Sequence, residues 1–339
     1  KYRTSFRTSL FLSREVPQEF RSQSGGSIRS ASDYYDAGTS TSSYAYEIAS
    51  SAYGGAFSSV TEAKNDATGK TVSWFDYDGS AIVLERIGGG FSFARPLNSG
   101  DPYKKVPWSV LVGMNVQKVS TIDSAGNSRP YGVLTDNYKD NTAPNDEVIC
   151  VAFNCASENN LFSLKTAATY NTLNDSRNPT SGDFLSLGTE QFITVGEDSP
   201  TFNRAKASYS HFFPVNWLKI SKGCRAKSGE EANCPQAIGF LAKAGTIVGD
   251  LPPYEAFCLG GSSSVRGWNS CDLAVARHFG EASVEYRLPI WRLVSAAFFV
   301  DGATDFGSQD SVPGKPGKLL GKDGSGFSPG AGLILNTPI

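Results

Sequence analysis

The chain has 339 residues, a formal net charge of −2 and 12% aromatic residues. So even a charge balance excludes a nucleic-acid partner held by a general basic field. No run of about 18 apolar residues is present, which excludes a transmembrane helix but not a barrel, whose strands alternate lipid-facing and lumen-facing residues.

Glycine is abundant at 35, methionine occurs once, and Ser, Thr, Tyr, Phe and Val outweigh helix formers, so the bias is towards strands. A length prior gives about two domains, but one all-β barrel can use this much chain. Lys1 opens no signal peptide, and a secreted barrel needs one, so the true N-terminus is expected upstream.

Period-two alternation predicts ten strands, near 2–12, 83–95, 107–120, 160–172, 183–193, 202–213, 236–249, 279–288, 293–302 and 329–336. In the first, Thr4, Phe6, Thr8, Leu10 and Leu12 oppose Arg3, Ser5, Arg7 and Ser9. In the third, Trp108, Val110, Val112, Met114 and Val116 oppose Ser109, Gly113, Asn115 and Gln117. Ala205, Ala207 and Tyr209 then oppose Arg204, Lys206 and Ser208, and Ile238, Phe240, Ala242 and Ala244 oppose Gly239, Lys243 and Gly245. In the eighth, Ala282, Val284, Tyr286 and Leu288 oppose Glu281, Ser283, Glu285 and Arg287. A soluble sandwich would bury the apolar face; a barrel would turn it to lipid and the charges to a wet lumen.

The connections decide for the barrel. Long ones cover 13–82, 121–159, 250–278 and 303–328, and shorter ones fall between them at 96–106, 173–182, 214–235 and 289–292. Long loops at one end and short turns at the other are an outer-membrane pattern, although 194–201 is short for its side and 214–235 long for its own. The Ser/Thr/Gly/Tyr-rich stretch 13–80 reads as a long surface loop, with a strand pair near 44–57 as an option.

Six cysteines form three neighbouring pairs in loops: Cys150 with Cys155, Cys224 with Cys234, and Cys258 with Cys271. Their spacing does not suit zinc, and His211 and His278 are remote from every pair, so no metal is expected. Local disulfides in an oxidising compartment are the better reading.

The most specific stretch is 251–268, which contains Leu259-Gly260-Gly261, Ser264-Val265-Arg266-Gly267-Trp268 and, before them, Pro252-Pro253-Tyr254-Glu255. It resembles the cyanobacterial and plastid branch of the BamA-type assembly-factor superfamily, whose sixth outer loop carries Leu-Gly-Gly-x-x-Ser-Val-Arg-Gly-Tyr. Glu285-Tyr286-Arg287-Leu288-Pro289 and Phe299-Val300-Asp301 resemble the family's following strands, with Ala303 standing where the family has Gly. Similar matches occur at 88–97, 178–182 and 187–190, so the likeness spans nearly all the chain outside 13–80. The resemblance implies POTRA domains upstream, four barrel strands before Tyr2 and two after Ile339. On that register the chain is an incomplete antiparallel transmembrane β-barrel, holding ten of an expected sixteen strands.

The alternation puts Glu285 and Asp301 on the lumen faces of successive strands. A guanidinium in a lumen is costly unless paired, and its rigid fork suits two carboxylates at once. The resemblance assigns that role to Arg266, with Phe299 beside the carboxylates; without it, Arg266 reads as an ordinary exposed loop residue. Three enzyme-like signals are weak. Gly326-Phe327-Ser328-Pro329-Gly330 fits G-x-S-x-G but lacks the following helix of a nucleophile elbow. Gly88-Gly89-Gly90 lacks the Lys of a phosphate loop and reads as a place where lumen contents approach the wall. His211 and His278 read as ordinary strand residues.

No catalytic residue and no cofactor is therefore expected. The resemblance implies a factor that inserts client β-barrels into an outer membrane, of a cyanobacterium or a plastid envelope. Its partners would be unfolded barrel precursors, lipid and accessory assembly subunits, and a weak seam between strands outside this chain would open for the client. A two-partner secretion transporter or chloroplast import pore of the same superfamily, a general porin, and a barrel-embedded hydrolase are the alternatives.

Overall fold

A computed structural model of the chain describes residues 4–20, 27–34, 75–97, 106–122, 126, 128, 131–135, 147–176, 178–218, 236–291 and 294–335. Taken in order, the strands are β1 (Ser5–Glu15), β2 (Ser27–Tyr34), β3 (Phe75–Ala81), β4 (Val83–Pro96), β5 (Trp108–Ile122), β6 (Tyr131–Thr135), β7 (Glu147–Cys150) and β8 (Glu158–Asn171). There follow β9 (Gly182–Ile193), β10 (Phe202–Val215), β11 (Gln236–Gly249), β12 (Phe257–Leu259), β13 (Ala274–Ala276), β14 (His278–Trp291), β15 (Val294–Thr304) and β16 (Ser325–Leu335).

Ten of these form one antiparallel sheet in the order β1-β4-β5-β8-β9-β10-β11-β14-β15-β16. They are the ten strands expected from the alternation. β1 and β16 are its edges and do not pair with each other. The sheet nevertheless curls: Lys322, just before β16, donates from Nζ to the Glu19 carbonyl just after β1, at 3.0 Å. The fold is thus an incomplete antiparallel barrel wall.

The outward face is apolar and uncovered. Phe6, Leu10, Ile87, Val112, Leu187, Val284, Phe298 and Leu333 are all exposed along it, Leu10 at 92%. Leaving such side chains in water forgoes roughly 1.5–3 kcal/mol each, so this face requires lipid. At the short-turn end it carries Trp108 against Tyr170 (centroids 5.1 Å apart), Phe213 against Phe240 (5.8 Å) and Trp217 against Tyr286 (5.5 Å). Aromatic rings gathered at one rim mark a bilayer interface.

Several expectations need correction. The long surface loop read at 13–80 holds regular structure: its β2 and β3 join β6 and β7 of the 121–159 connection in a second, four-stranded sheet in the order β3-β2-β6-β7. The strand pair considered at 44–57 lies outside the described residues. β16 begins at Ser325 rather than 329, because its small lumen-facing residues read as loop. Gly88 is covered by the Phe11 ring of the neighbouring strand, not by lumen contents: an added Cβ would lie 2.8 Å from that ring.

The lumen is also not wet throughout. At the long-loop end, lumen-facing Leu84, Val119, Leu161, Phe192 and Ile247 pack with loop residues Phe20, Val151, Leu251, Leu259, Leu273 and Val312 into one buried core. The loops therefore cork that mouth by the same apolar burial that would hold a soluble domain together.

Candidate functional site

The 250–277 connection folds back inside the wall. It leaves β11, makes a turn at Pro253–Glu255, and forms the ribbon β12–β13 before entering β14. The Cys258–Cys271 disulfide bridges the two arms of that ribbon, with Cα atoms 4.4 Å apart. The side chains of Cys150 and Cys155, and all of Cys224 and Cys234, lie outside the described residues.

At the loop tip, Val265 is fully buried in the core and directs the next residue towards the wall. Arg266 donates from Nε to Asp301 Oδ2 at 2.6 Å, from Nη2 to Asp301 Oδ1 at 2.8 Å, and from its backbone N–H to Oδ2 at 3.2 Å. Its Nη1 donates to Glu285 Oε2 at 2.5 Å, and its guanidinium lies 3.4 Å from the Phe299 ring centroid. Ser283 donates to Asp301 Oδ1 at 2.6 Å, and Arg287 to the far oxygen of Glu285 at 2.5 Å. Asp301 is 1% exposed, so these bonds replace the water its carboxylate has lost. The five residues form one charge-assisted network with a planar fork at its centre.

β16 explains how the tip sits so close. Gly267 has φ +96°, a backbone shape that glycine adopts freely, and a Cβ there would lie 2.8 Å from Ser328 Oγ. Trp268 and Leu273 lie over Gly326, where a Cβ would meet them at 3.2 and 2.9 Å, and the Phe299 ring lies over Gly330. The Gly-x-Ser-x-Gly signal is therefore a seat of small residues for the loop, with Ser328 inside β16 and not at a strand-to-helix turn. His211 bonds Asp183 and His278 bonds Thr246, each at 2.8 Å.

Two further contacts pin the tip. Ser264 donates to Glu281, and Lys243, itself paired with Glu281 at 3.2 Å, donates from Nζ to the Ser263 carbonyl at 2.5 Å. Below the clasp a lumen cavity of about 310 Å³ is bounded by Ser210, Phe212, Arg266, Glu285 and Arg287.

The root of the same loop carries a second network, which no sequence motif announces. Glu255 accepts from Arg86 Nη1 at 2.7 Å and from Arg204 Nη1 at 2.6 Å. Arg204 also donates to Glu190 at 2.8 Å, and Arg86 to Glu15 at 2.9 Å. Glu255 lies inside the motif-bearing stretch, but its partners lie far off in sequence, and of these the alternation places only Arg204, on the polar face of β10.

Two titratable groups sit beside the disulfide, in the loops. Burial pushes the Glu19 carboxyl up to about 7, and its Oε1 is 3.8 Å from Cys258 Sγ. Burial also lowers the Lys322 ammonium to about 8, although it donates to the Cys271 carbonyl at 2.7 Å.

The fold and the site together define a membrane-spanning β-barrel wall with an inward-folded, doubly anchored loop. Residues 36–339 match the Omp85 superfamily domain, and the chain belongs to that superfamily. It is 33% identical over 146 residues to Protein TOC75-3, chloroplastic, of Arabidopsis thaliana, covering 43% of this chain and 17% of that protein. It is 25% identical over 266 residues to Outer envelope protein 80, chloroplastic, of the same plant, covering 77% of this chain and 30% of that one. The chain thus spans well under half the length of these relatives. The crystal structure of BamA from Haemophilus ducreyi lacking POTRA domains 1-3 superposes with a TM-score of 0.51 at 15% identity, over 76% of this chain and 49% of that one. The superfamily is one of membrane-protein insertion and translocation in outer membranes, and the chain falls in its plastid branch.

Proposed function

We propose that this chain is the barrel part of an outer-membrane assembly factor that folds client β-barrel proteins into the membrane, and that it is not an enzyme. The observation that carries this reading is the corked mouth. A lumen closed by a hydrophobic core and held by two ionic networks leaves the wall, not the pore, as the working surface. In this reading Val265, Arg266, Gly267 and Trp268 are the functional tip, and Glu285, Phe299 and Asp301 are its lumen partners. Upstream POTRA domains, flanking wall strands, accessory subunits and unfolded barrel precursors complete the machine, with no cofactor. The relatives named chloroplastic favour the plastid outer envelope over a cyanobacterial outer membrane.

The test is a depletion–rescue assay with the full-length protein, scoring client barrels in the membrane. Arg266→Ala is expected to lower client assembly at near-normal protein level, because the wall keeps its own hydrogen bonds. Full client assembly by this variant would sink the role given to Arg266. The second reading, a translocating channel, is favoured by the higher identity to the protein named TOC75-3 over its shorter match. That reading requires the cork to leave the lumen, so precursor-triggered conductance in vesicles, with no client insertion, would select it.

A further inference from the structure

The loop root does more than hold the loop. In the sheet order, β4 and β10 are separated by β5, β8 and β9. Four steps of about 4.8 Å put two such strands roughly 19 Å apart in a flat sheet. Yet one carboxylate, Glu255, touches Arg86 of β4 with one oxygen and Arg204 of β10 with the other. The contact is closed off from solvent, with side-chain exposures of 6% for Glu255, 15% for Arg86 and 21% for Arg204. It extends as a chain of alternating charge, Glu15–Arg86–Glu255–Arg204–Glu190, that ends where Ser163 of β8 donates to Glu190 at 2.8 Å. The Tyr254 ring backs Arg86, and its hydroxyl donates to Asn159 of β8 at 2.9 Å.

We propose that Glu255 is a strut: a positioning residue that sets the curvature of the wall between β4 and β10 and couples that curvature to the place of the loop. The inference rests on the assembly reading for its functional meaning only. A neutral side chain leaves two buried guanidinium groups facing each other without the anion between them, and their repulsion pushes the strands apart. A shorter carboxylate keeps the charge but cannot meet both arginines. Flattening of the wall therefore requires the root to let go, and release of the root permits flattening.

The test uses the full-length protein in phosphatidylcholine–phosphatidylglycerol vesicles, with Cys150, Cys155, Cys224 and Cys234 replaced by Ser. Spin labels at Ile87→Cys and Ala207→Cys, which face lipid on β4 and β10, report the distance across the strut. Glu255→Gln and Glu255→Asp are both expected to lengthen and broaden that distance and to speed protease cleavage near 253–256 by roughly tenfold. Arg266→Ala is expected to leave the distance unchanged. Arg86→Gln, which keeps the Arg204–Glu190 pair, is the second variant should Glu255→Gln fail to fold, and it is expected to act in the same direction. An unchanged distance in either folded variant overturns the strut. None of these readouts needs a client, so a wild type that inserts no client while Glu255→Gln loosens the wall would refute the assembly reading and keep the strut.

Discussion

The tip and the root of one loop are anchored by the same chemistry with the charges reversed. At the tip the loop supplies the cation, Arg266, and the wall supplies Asp301 and Glu285. At the root the loop supplies the anion, Glu255, and the wall supplies Arg86 and Arg204. The tip binds adjacent strands, β14 and β15, which the ladder already holds in register. The root binds strands that no ladder joins directly. The same kind of ion pair therefore fixes a loop in one place and a wall in the other.

The largest expected effect breaks the tip. Asp301→Ala removes three of the hydrogen bonds of Arg266. Losing one partner of a buried pair typically costs ~3–5 kcal/mol, and water below the clasp reduces this to about 2–4 kcal/mol of loop docking. Protease cleavage between 262 and 268 should rise by roughly a hundredfold while the root stays protected. Equal loosening at both ends would show that the two anchors are one.

Next in size is the disulfide, which encloses the tip but not the root. Cys258 and Cys271 are 13 residues apart, and closing a loop of that length stabilises by about 2–3 kcal/mol through a smaller unfolded ensemble. Cys258→Ser with Cys271→Ser should speed cleavage at the tip and leave 253–256 as it was. A faster root in this variant would erase the distinction drawn between them.

A smaller, pH-dependent effect comes from Glu19, beside Cys258. Its pKa is raised from 4.5 to about 7 in the folded state, so the fold binds a proton that the free chain has lost. That stability is present below about pH 4.5 and fades as pH rises through 7. Lys322 runs the opposite way: its pKa is lowered to about 8, so its share is present at high pH and lost as pH falls through 8. Tip cleavage should therefore be several times faster at pH 7.5 than at pH 5, and Glu19→Gln should flatten that profile. A profile unaltered by Glu19→Gln would assign the dependence elsewhere.

The smallest expected quantity is a coupling. Tip and root share no partner residue, so the effects of Arg266→Ala and Glu255→Gln on loop docking should add to within about 0.5 kcal/mol. A larger interaction energy in the double-mutant cycle would mean that the loop transmits strain between its ends.

The ten wall strands and the tip were legible in the sequence for different reasons. Strand alternation is local, so 236–249 carried its own assignment. The tip was legible because Val265 to Trp268 belong to a specific motif, and Glu285 and Asp301 lay on the right face of nearby strands. The start of β16 was missed because Gly326, Pro329 and Gly330 look like loop chemistry; only the overlying Trp268 and Phe299 give those glycines a reason. The root was missed because nothing local says that Glu255 must meet Arg86, 169 residues away. The cork was missed for the same reason, since alternation reports which way a wall residue points but not what it meets there.

The separations also impose an order in time. Arg266 and Glu285 are 19 residues apart, whereas Arg86 and Glu255 are 169 apart. In an unstructured chain the longer closure carries roughly 2 kcal/mol more entropic cost. The tip can thus be captured while the later strands form a local hairpin, but the root must wait until β4 and β10 have been brought round. Closure entropy therefore favours locking the arc of the wall last, with the loop clipped in place while the circumference is still free to change.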